Sequence, residues 1–241
     1  GIRDQPRSRG LGDVYKRQVV HTVKYLAKLM EVDMDTRKIT AYALIVPPAL
    51  AIIGWLIFGF IAMDGVGPDK PQEYMAGLGE NSTLVRYMFP IITLLFLMAV
   101  GGLGAIKNSM EGGSGYFIAS FGFFLLILGS AAQLGEVAFT IQLAEAVEVG
   151  NMVVASNAFA SGQSIGAVAT AFSGIAVLLI GVGILQQKNF TPLVAGLMII
   201  AGIFLTVFSI VDYESPLMAI GYLGWVVSLV WLGASLLTKN D

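Results

Sequence analysis

Long apolar runs alternate with short polar stretches along most of this chain, a pattern typical of membrane-spanning helices. About 20 predominantly apolar residues are needed for a helix to cross roughly 30 Å of hydrocarbon. Six runs reach this length, and glycine, proline or charged residues separate them. They predict an all-α fold, a polytopic transmembrane helix bundle, with six spans at residues 39–63, 83–106, 116–148, 155–187, 191–211 and 216–237.

The third and fourth spans are longer than a bilayer requires. Helix-compatible sequence covers residues 116–148 and 155–187, and Gly150 between them is a suitable helix C-cap. Each helix would then have about 32 residues and a length of about 48 Å. We expect this long hairpin of the third and fourth helices either to tilt strongly or to protrude from one face of the membrane.

The segments on either side of the first span differ in character. Residues 64–82 are polar and rich in glycine and proline, which predicts a loop. Residues 19–38 place apolar side chains on one helical face and charged ones on the other, which predicts a cytoplasmic amphipathic helix. This helix either lies on the membrane surface or is the end of a longer element. Residues 39–241 would form the six-helix transmembrane domain.

The first 18 residues do not resemble the rest of the chain. Residues 8–18, SRGLGDVYKRQ, resemble one reading frame of a transposon-based sequencing adaptor, and residues 1–4, GIRD, resemble the primer tail of the same adaptor. The resemblance implies a translated assembly artefact from a shotgun-sequenced, metagenomic sample. We therefore expect the natural start of the protein to be missing. The alternative is a disordered basic tail.

Composition supports the membrane interpretation and narrows the chemistry. The mean hydropathy is +0.78, and 12% of residues are charged, against about 25% in soluble domains. The chain has no cysteine and one histidine, His21, so we predict neither a metal site nor a cofactor. No basic patch with interleaved aromatic residues occurs, which argues against nucleic-acid binding.

Basic residues near the spans predict the orientation, because they concentrate on the cytoplasmic side. With six spans, seven of them fall on one side and two on the other. Both termini are therefore predicted to be cytoplasmic, in the inner (plasma) membrane. The seven are Lys24, Lys28, Arg37, Lys38, Lys107, Lys188 and Lys239, and the two are Lys70 and Arg86.

Three prolines lie inside predicted spans. Pro47 and Pro48 are adjacent in the first span, and Pro90 lies near the start of the second. Proline removes a helix hydrogen bond and clashes with the preceding turn, so we expect helix kinks at these positions.

Small residues recur at every fourth position of the fourth span. In lipid, such residues let helix backbones approach closely. We expect this helix-packing stripe to contact a neighbouring helix, most simply the third span. A gating seam between moving helices would have the same pattern. The stripe consists of Ala158, Gly162, Gly166, Thr170 and Gly174.

The same region contains the pattern G-x-S-x-G around Ser164. In hydrolases this pattern places a nucleophilic serine beside a base. Here His21 lies on the opposite side of the membrane, and no lysine is near Ser164 in the sequence. We therefore expect no enzyme activity.

Polar residues cluster at the predicted outer end of several spans. Gln133 and Glu136 share one face of the third helix, about 30 Å from its start, and so reach the outer interface. We expect Arg86 to pair with Glu136 or Asp212, because ionisable groups at this depth tend to face the interior and pair. The alternative is that these side chains reach individually to the interface. The candidate polar vestibule is lined by Arg86, Gln133, Glu136, Gln163, Ser164 and Asp212.

Two functional hypotheses result, and both include the lipid bilayer as a partner. Residues 216–237 resemble the last helix of prokaryotic six-helix membrane protein families with no assigned activity, which implies the span count alone. An accessory or structural component would act through helix–helix contacts of the small-residue stripe, with a membrane-protein partner. A small transporter or channel subunit would use the vestibule as an entrance, the proline kinks as hinges, and a homo-oligomer to complete the conduit.

Overall fold

The computed structural model describes residues 35–238, and within them it contains seven α-helices and no β-strand. Six of these helices are long and apolar enough to cross a membrane, which confirms the predicted all-α transmembrane bundle. Residues 1–18 and most of the segment 19–38 lie outside the described residues. The helices are α1 Thr36–Ile57, α2 Pro71–Glu80, α3 Ser82–Asn108, α4 Tyr116–Glu148, α5 Met152–Gln187, α6 Pro192–Val211 and α7 Met218–Thr238.

Both ends of α1 differ from the prediction. The helix begins at Thr36 and so includes the last three residues of the amphipathic segment 19–38. At its other end it continues as a π-helical turn, Phe58–Ala62. Pro47 and Pro48 lie inside α1, and Pro90 lies inside α3, without interrupting either helix.

The predicted loop at residues 64–82 is wrong for residues 71–80, where the structure contains the helix α2. Pro71 occupies the first helical position, where its missing N–H costs nothing, and Glu73 lies in the first turn. Met75 and Leu78 are buried three residues apart on one face. This ten-residue helix is stabilised by packing, while its glycines lower its intrinsic helix propensity.

The connections between the spans define two sides of the bundle. The α2 side carries residues 62–82, 148–152 and 211–218, and the Lys107 side carries residues 108–116 and 187–192. Lys107 lies over the ring of Tyr116, 5.4 Å from its centroid, which anchors α3 and α4 at the Lys107 side.

The α4–α5 hairpin protrudes on the α2 side. Its helices have 33 and 36 residues, against 20 in α6. Tyr213, two residues beyond the end of α6, bonds to Glu136, which lies twelve residues before the end of α4. About 18 Å of the hairpin therefore extends past the level at which α6 ends. The helix α2 packs on this tip, where Gly79 lies against Val147.

Glycines close the contact between α4 and α5 toward the Lys107 side. A side chain added to Gly122 would place its Cβ 2.9 Å from the carbonyl oxygen of Ala176, and one added to Gly129 would lie 2.8 Å from that of Ala169. Gly115 likewise lies against Gly183. Gly115 is the N-cap of α4, and Gly122 and Gly129 follow within the helix at intervals of seven residues, so the three share one helical face. We refer to Gly115, Gly122 and Gly129, with the α5 backbone facing them, as the glycine seam.

The first helix is held tightly at one end only. Toward the Lys107 side, Gly233 of α7 lies against the carbonyl oxygen of Ala41, and Gly102 of α3 lies against Leu44. Toward the α2 side, α1 rests on rings, with Trp55 and Phe89 in an edge-to-face contact at 4.9 Å. The space between α1, α3, α4 and α7 is therefore closed on the Lys107 side and wider on the α2 side.

Candidate functional site

A cavity of about 630 Å³ lies between α1, α3, α4, α5 and α7. At the α2 side it is bounded by the loop residues Gly65, Asp69 and Glu214. On α3 its lining runs from Phe89 to Val100, about 16 Å along the helix. This is about half of the roughly 30 Å hydrocarbon layer. The volume falls in the range of about 300–1,000 Å³ that is typical of small-molecule sites.

Glu136 is half-buried and projects from α4 into this cavity. The hydroxyl of Tyr213 donates a hydrogen bond of 2.9 Å to its Oε1. The Gln133 amide, one turn earlier on the same face of α4, donates to its Oε2. Both carboxylate oxygens therefore accept hydrogen bonds from neutral groups, and these bonds hold the carboxylate in a defined orientation.

The position of Glu136 is explained by the spacing of the glycine seam. Glu136 lies seven residues after Gly129, where a fourth seam glycine would fall. Facing it on α5 is Gly166, and a Cβ added there would lie 2.6 Å from Glu136 Oε1 and 2.6 Å from the Tyr213 hydroxyl. In the glycine seam, α4 supplies the glycines. At Glu136 the arrangement is reversed, because α4 supplies the side chain and α5 supplies the glycine that accommodates it.

Tyrosines from three separate parts of the chain surround the carboxylate. Tyr213 lies in the α6–α7 connection, and burial, followed by the neighbouring Tyr222 and Glu136, raises its pKa well above the usual value. Tyr74 comes from α2, and burial also raises its pKa. Both phenols therefore remain protonated and neutral at physiological pH. Tyr222 of α7 is bonded to Thr170 of α5, with 2.8 Å between the hydroxyl oxygens.

The remainder of the wall is mostly apolar and aromatic. Trp55 and Phe89 line it from α1 and α3, and Phe96 stacks on Trp225 at a ring-centroid distance of 5.8 Å. Its charged residues are the acids Asp69, Glu136 and Glu214, and no lysine, arginine or histidine of the described residues lines it. Asp69 and Glu214 lie at the mouth, so Glu136 is the interior charge.

Two buried polar atoms of wall residues have no hydrogen-bond partner within residues 35–238. They are Gln163 Oε1, an acceptor, and Trp225 Nε1, a donor. Gln163 and Glu136 also line a second, small cavity of about 50 Å³ beside Tyr74. Buried polar atoms are normally paired, so these two atoms are unusual in lacking a partner.

The structure brings together half of the predicted vestibule. Gln133, Glu136 and Gln163 line the cavity, as the sequence predicts. Ser164 is exposed and does not line the cavity, because successive residues on a helix are rotated by about 100° and Ser164 directly follows Gln163. Its hydroxyl donates to the carbonyl oxygen of Ala160. Asp212 is exposed and does not line the cavity; its neighbour Tyr213 faces Glu136 instead.

The prediction that Arg86 pairs with Glu136 or Asp212 is wrong, because the structure pairs it with another residue of α4. Arg86 Nη2 lies 2.6 Å from Oε1 of Glu145, not beside Glu136 or Asp212. Glu145 lies nine residues beyond Glu136 on α4, about 13 Å further along the helix toward the hairpin tip. Because the hairpin protrudes, the start of α3 packs beside its tip, above the level of Glu136.

The small-residue stripe on α5 contacts several neighbours, not α4 alone. Residues four apart on a helix drift by about 40° per step, so the five positions turn gradually around α5. Gly162 lies beside Phe139 of α4, and Gly174 lies against the carbonyl oxygen of Gly202 on α6. The glycines that bring α4 and α5 together in the seam instead belong mostly to α4. Ala158 is buried under α2, Gly166 accommodates Glu136, and Thr170 bonds to Tyr222.

The G-x-S-x-G pattern lies in the middle of α5, which is a continuous helix, so Ser164 is not on a strand-to-helix elbow.

Within residues 35–238, no group of three or more histidine or acidic side chains is placed to hold a metal ion.

The tyrosines around Glu136 are the part of the site that the sequence analysis did not identify. They come from α2, from the α6–α7 connection and from α7, and only the fold unites them. The seven-residue spacing of Gly115, Gly122, Gly129 and Glu136 marks the position of the carboxylate in the sequence, but it does not identify the tyrosines.

Comparison of the chain with protein-family models, with curated protein sequences and with solved structures finds no match.

Proposed function

We propose that this chain is a small transporter or channel subunit that takes up a small molecule into the cavity from the α2 side. The observation that carries the proposal is the cavity itself. It continues from the loops at residues 65–69 and 213–216, past Glu136, to Val100. Beyond that level lie the fully buried side chains of Leu44, Leu103 and Leu229. A cavity that begins at the loops of one side and ends at buried side chains before the other is what an alternating-access transporter requires in one of its two states.

The first helix is the best candidate for the moving element. Its backbone is fixed near Ala41 by Gly233, whereas its other half contacts α3 through the rings of Trp55 and Phe89. Between these parts lie Pro47 and Pro48, and the π-helical turn Phe58–Ala62 comes after them. Prolines and π-turns are the usual sites at which membrane helices bend. A bend at the prolines would widen or narrow the cavity without disturbing the contact at Gly233.

The rival hypothesis, an accessory component that binds partners through the small-residue stripe, loses its main support. The stripe residues Ala158, Gly162, Gly166, Thr170 and Gly174 are all buried within the chain. No part of the stripe is free to contact a second membrane protein.

We also propose that the α2 side faces the exterior of the plasma membrane, with both termini in the cytoplasm. Among residues 35–238, four basic residues belong to the Lys107 side and two to the α2 side, which agrees with the positive-inside rule. The four are Arg37, Lys38, Lys107 and Lys188, and the two are Lys70 and Arg86.

The chain has no cysteine, so a single introduced cysteine reports its own accessibility without background. The decisive variant is Ser173→Cys, because Ser173 lines the cavity although it is buried in α5. We expect a membrane-impermeant methanethiosulfonate reagent, added to intact cells that express the chain, to modify it. Ser215→Cys at the mouth should react faster.

Two control variants define the outcome. Ser228→Cys is completely buried in α7 and away from the cavity, so it should remain unmodified. Ser109→Cys is exposed on the Lys107 side and should react only after the membrane is permeabilised. Absence of labelling at Ser173→Cys, with Ser215→Cys labelled, would refute a water-accessible cavity. Labelling of Ser109→Cys in intact cells would reverse the orientation.

A further inference from the structure

We propose that the occupant of the cavity is a hydrophobic organic monocation, whose charge pairs with the Glu136 carboxylate while its apolar body contacts the aromatic wall. This inference deepens the proposed function and rests on it. It names a ligand class, whereas the proposed function requires only that a small molecule enters.

The described residues that line the cavity provide no counter-ion for Glu136. Both of its oxygens are bonded to neutral donors, Tyr213 and Gln133, which orient the carboxylate but leave its charge uncompensated. Arg86, the basic residue that the sequence pattern suggested, is paired with Glu145 at the hairpin tip. No basic residue among residues 35–238 lines the cavity. A carboxylate that is half-buried in a largely apolar site is stabilised by a cation, and a bound ligand can supply the charge that the lining side chains do not.

The surroundings of that charge are aromatic. Tyr74, Tyr213 and Tyr222 come from three separate elements and line the same cavity as Glu136, as do Trp55 and Trp225. The negative faces of aromatic rings attract cations, and cages of such rings are the usual sites for substituted ammonium groups. The rings also offer a large apolar surface, which a small hydrated ion could not use.

The same observations argue against an inorganic cation. Calcium and magnesium require about six or more oxygen ligands. Glu136 is the single acidic side chain in the interior of the cavity, because Asp69 and Glu214 lie at its mouth. A cavity of about 630 Å³ is also much larger than a coordination shell and matches an organic molecule of drug-like size.

Two buried polar atoms of wall residues have no hydrogen-bond partner within residues 35–238. Gln163 Oε1 can accept a hydrogen bond from an ammonium N–H, and Trp225 Nε1 can donate one to an ether, hydroxyl or carbonyl oxygen. Gln163 and Glu136 border the same small cavity. The wall around an ammonium group on Glu136 therefore includes a second acceptor side chain.

The cation could belong to a free molecule or to the headgroup of a lipid, such as choline or ethanolamine. The two sources share the chemistry that Glu136 and the rings recognise. They differ in the rest of the molecule, since a lipid adds a phosphate and two acyl chains to the charged group.

The test uses tritiated tetraphenylphosphonium and the full chain purified in a neutral detergent. We expect saturable binding that Glu136→Gln weakens at least about tenfold, because the substitution removes the charge and keeps the shape. The matched control is Glu148→Gln, at the exposed end of the same helix, which should bind like the unmodified chain. Tetraphenylborate, of similar size and opposite charge, should not compete.

A second measurement keeps Glu136 intact, so it does not depend on the folding of the Glu136 variant. Tetraphenylphosphonium should slow the modification of Ser173→Cys by the thiol reagent, and tetraphenylborate should leave the rate unchanged. Equal protection by both ions would overturn the inference, as would tight binding to Glu136→Gln. If Ser173→Cys reacts but neither ion protects it, the cavity is accessible and only the ligand class is wrong. If Ser173→Cys does not react at all, the proposed function itself fails.

Competition separates the two sources of the cation. Displacement of tetraphenylphosphonium by dihexanoylphosphatidylcholine, but not by dihexanoylphosphatidylglycerol, would assign the site to a lipid headgroup. Displacement by tetrabutylammonium and by neither lipid would assign it to a free organic cation. Displacement by the anionic lipid alone would contradict a cation site.

Discussion

The α4–α5 contact has two parts that differ at one repeated position. From Gly115 to Gly129 the position is glycine, and the backbones of the two helices touch. Seven residues further it is Glu136, the helices are separated by side chains, and a cavity begins beside them. In a membrane, where apolar side chains gain little by leaving lipid, close backbone contact and hydrogen bonds determine which helices stay together. A single residue at such a position therefore decides between a tight contact and a polar site.

The largest effect should come from enlarging a glycine in the closed part. In Gly122→Leu the new side chain meets the carbonyl oxygen of Ala176, which belongs to the backbone and cannot move aside. We expect a loss of about 3 kcal/mol in the free energy of unfolding, measured by denaturation in detergent micelles. Gly196→Leu, with no atom within 4 Å of its added Cβ, is the control and should be neutral or slightly more stable. Equal effects of the two variants would show that the seam does not depend on backbone contact.

A smaller change in the open part should separate binding from stability. In Gly166→Ala the methyl group meets the ends of two side chains, those of Glu136 and Tyr213, which can shift. We expect the free energy of unfolding to fall by only about 1 kcal/mol. Binding of tetraphenylphosphonium should weaken at least about tenfold, because the carboxylate loses its position. Gly162→Ala, whose methyl group would lie 3.4 Å from Phe139, is the matched control and should retain binding.

Gly122 and Gly166 also show how much of the structure could be predicted from the sequence. Length and hydropathy were enough to predict six spans and the long hairpin, because both properties belong to continuous segments. The face shared by Gln133 and Glu136 was likewise readable, since it depends only on helical spacing. The roles of Gly122 and Gly166 could not be predicted, because spacing does not indicate whether a glycine faces a backbone or a side chain.

The partner of Arg86 and the role of Tyr213 both depend on the vertical offset between helices. The partner of Arg86 depends on how far the hairpin protrudes beyond the other helices. The contact of Tyr213 with Glu136 depends on where α6 ends relative to α4. Offsets between segments that are distant in sequence leave no local pattern, so they had to come from the structure.

A hydrogen bond across the open part tests whether the polar site also stabilises the fold. Thr170 and Tyr222 join α5 to α7 through their hydroxyls, 2.8 Å apart. Thr170→Val and Tyr222→Phe should each lower the free energy of unfolding by about 1 kcal/mol, and the double variant should lose little more. Fully additive losses in this double-mutant cycle would mean that the hydroxyls do not interact.

The smallest effect is expected at the hairpin tip, where Arg86 and Glu145 form an ion pair outside the cavity. Their side chains are 54% and 45% exposed, so water screens the pair despite its 2.6 Å separation. Arg86→Ala should therefore change the free energy of unfolding by less than about 1 kcal/mol. Binding of tetraphenylphosphonium should be unchanged, because Glu136 lies about 13 Å below Glu145 along α4. A tenfold change in binding, in either direction, would place the charge of Arg86 within reach of the carboxylate. Glu136 would then have a counter-ion from the protein, and a cationic ligand would not be needed to compensate its charge.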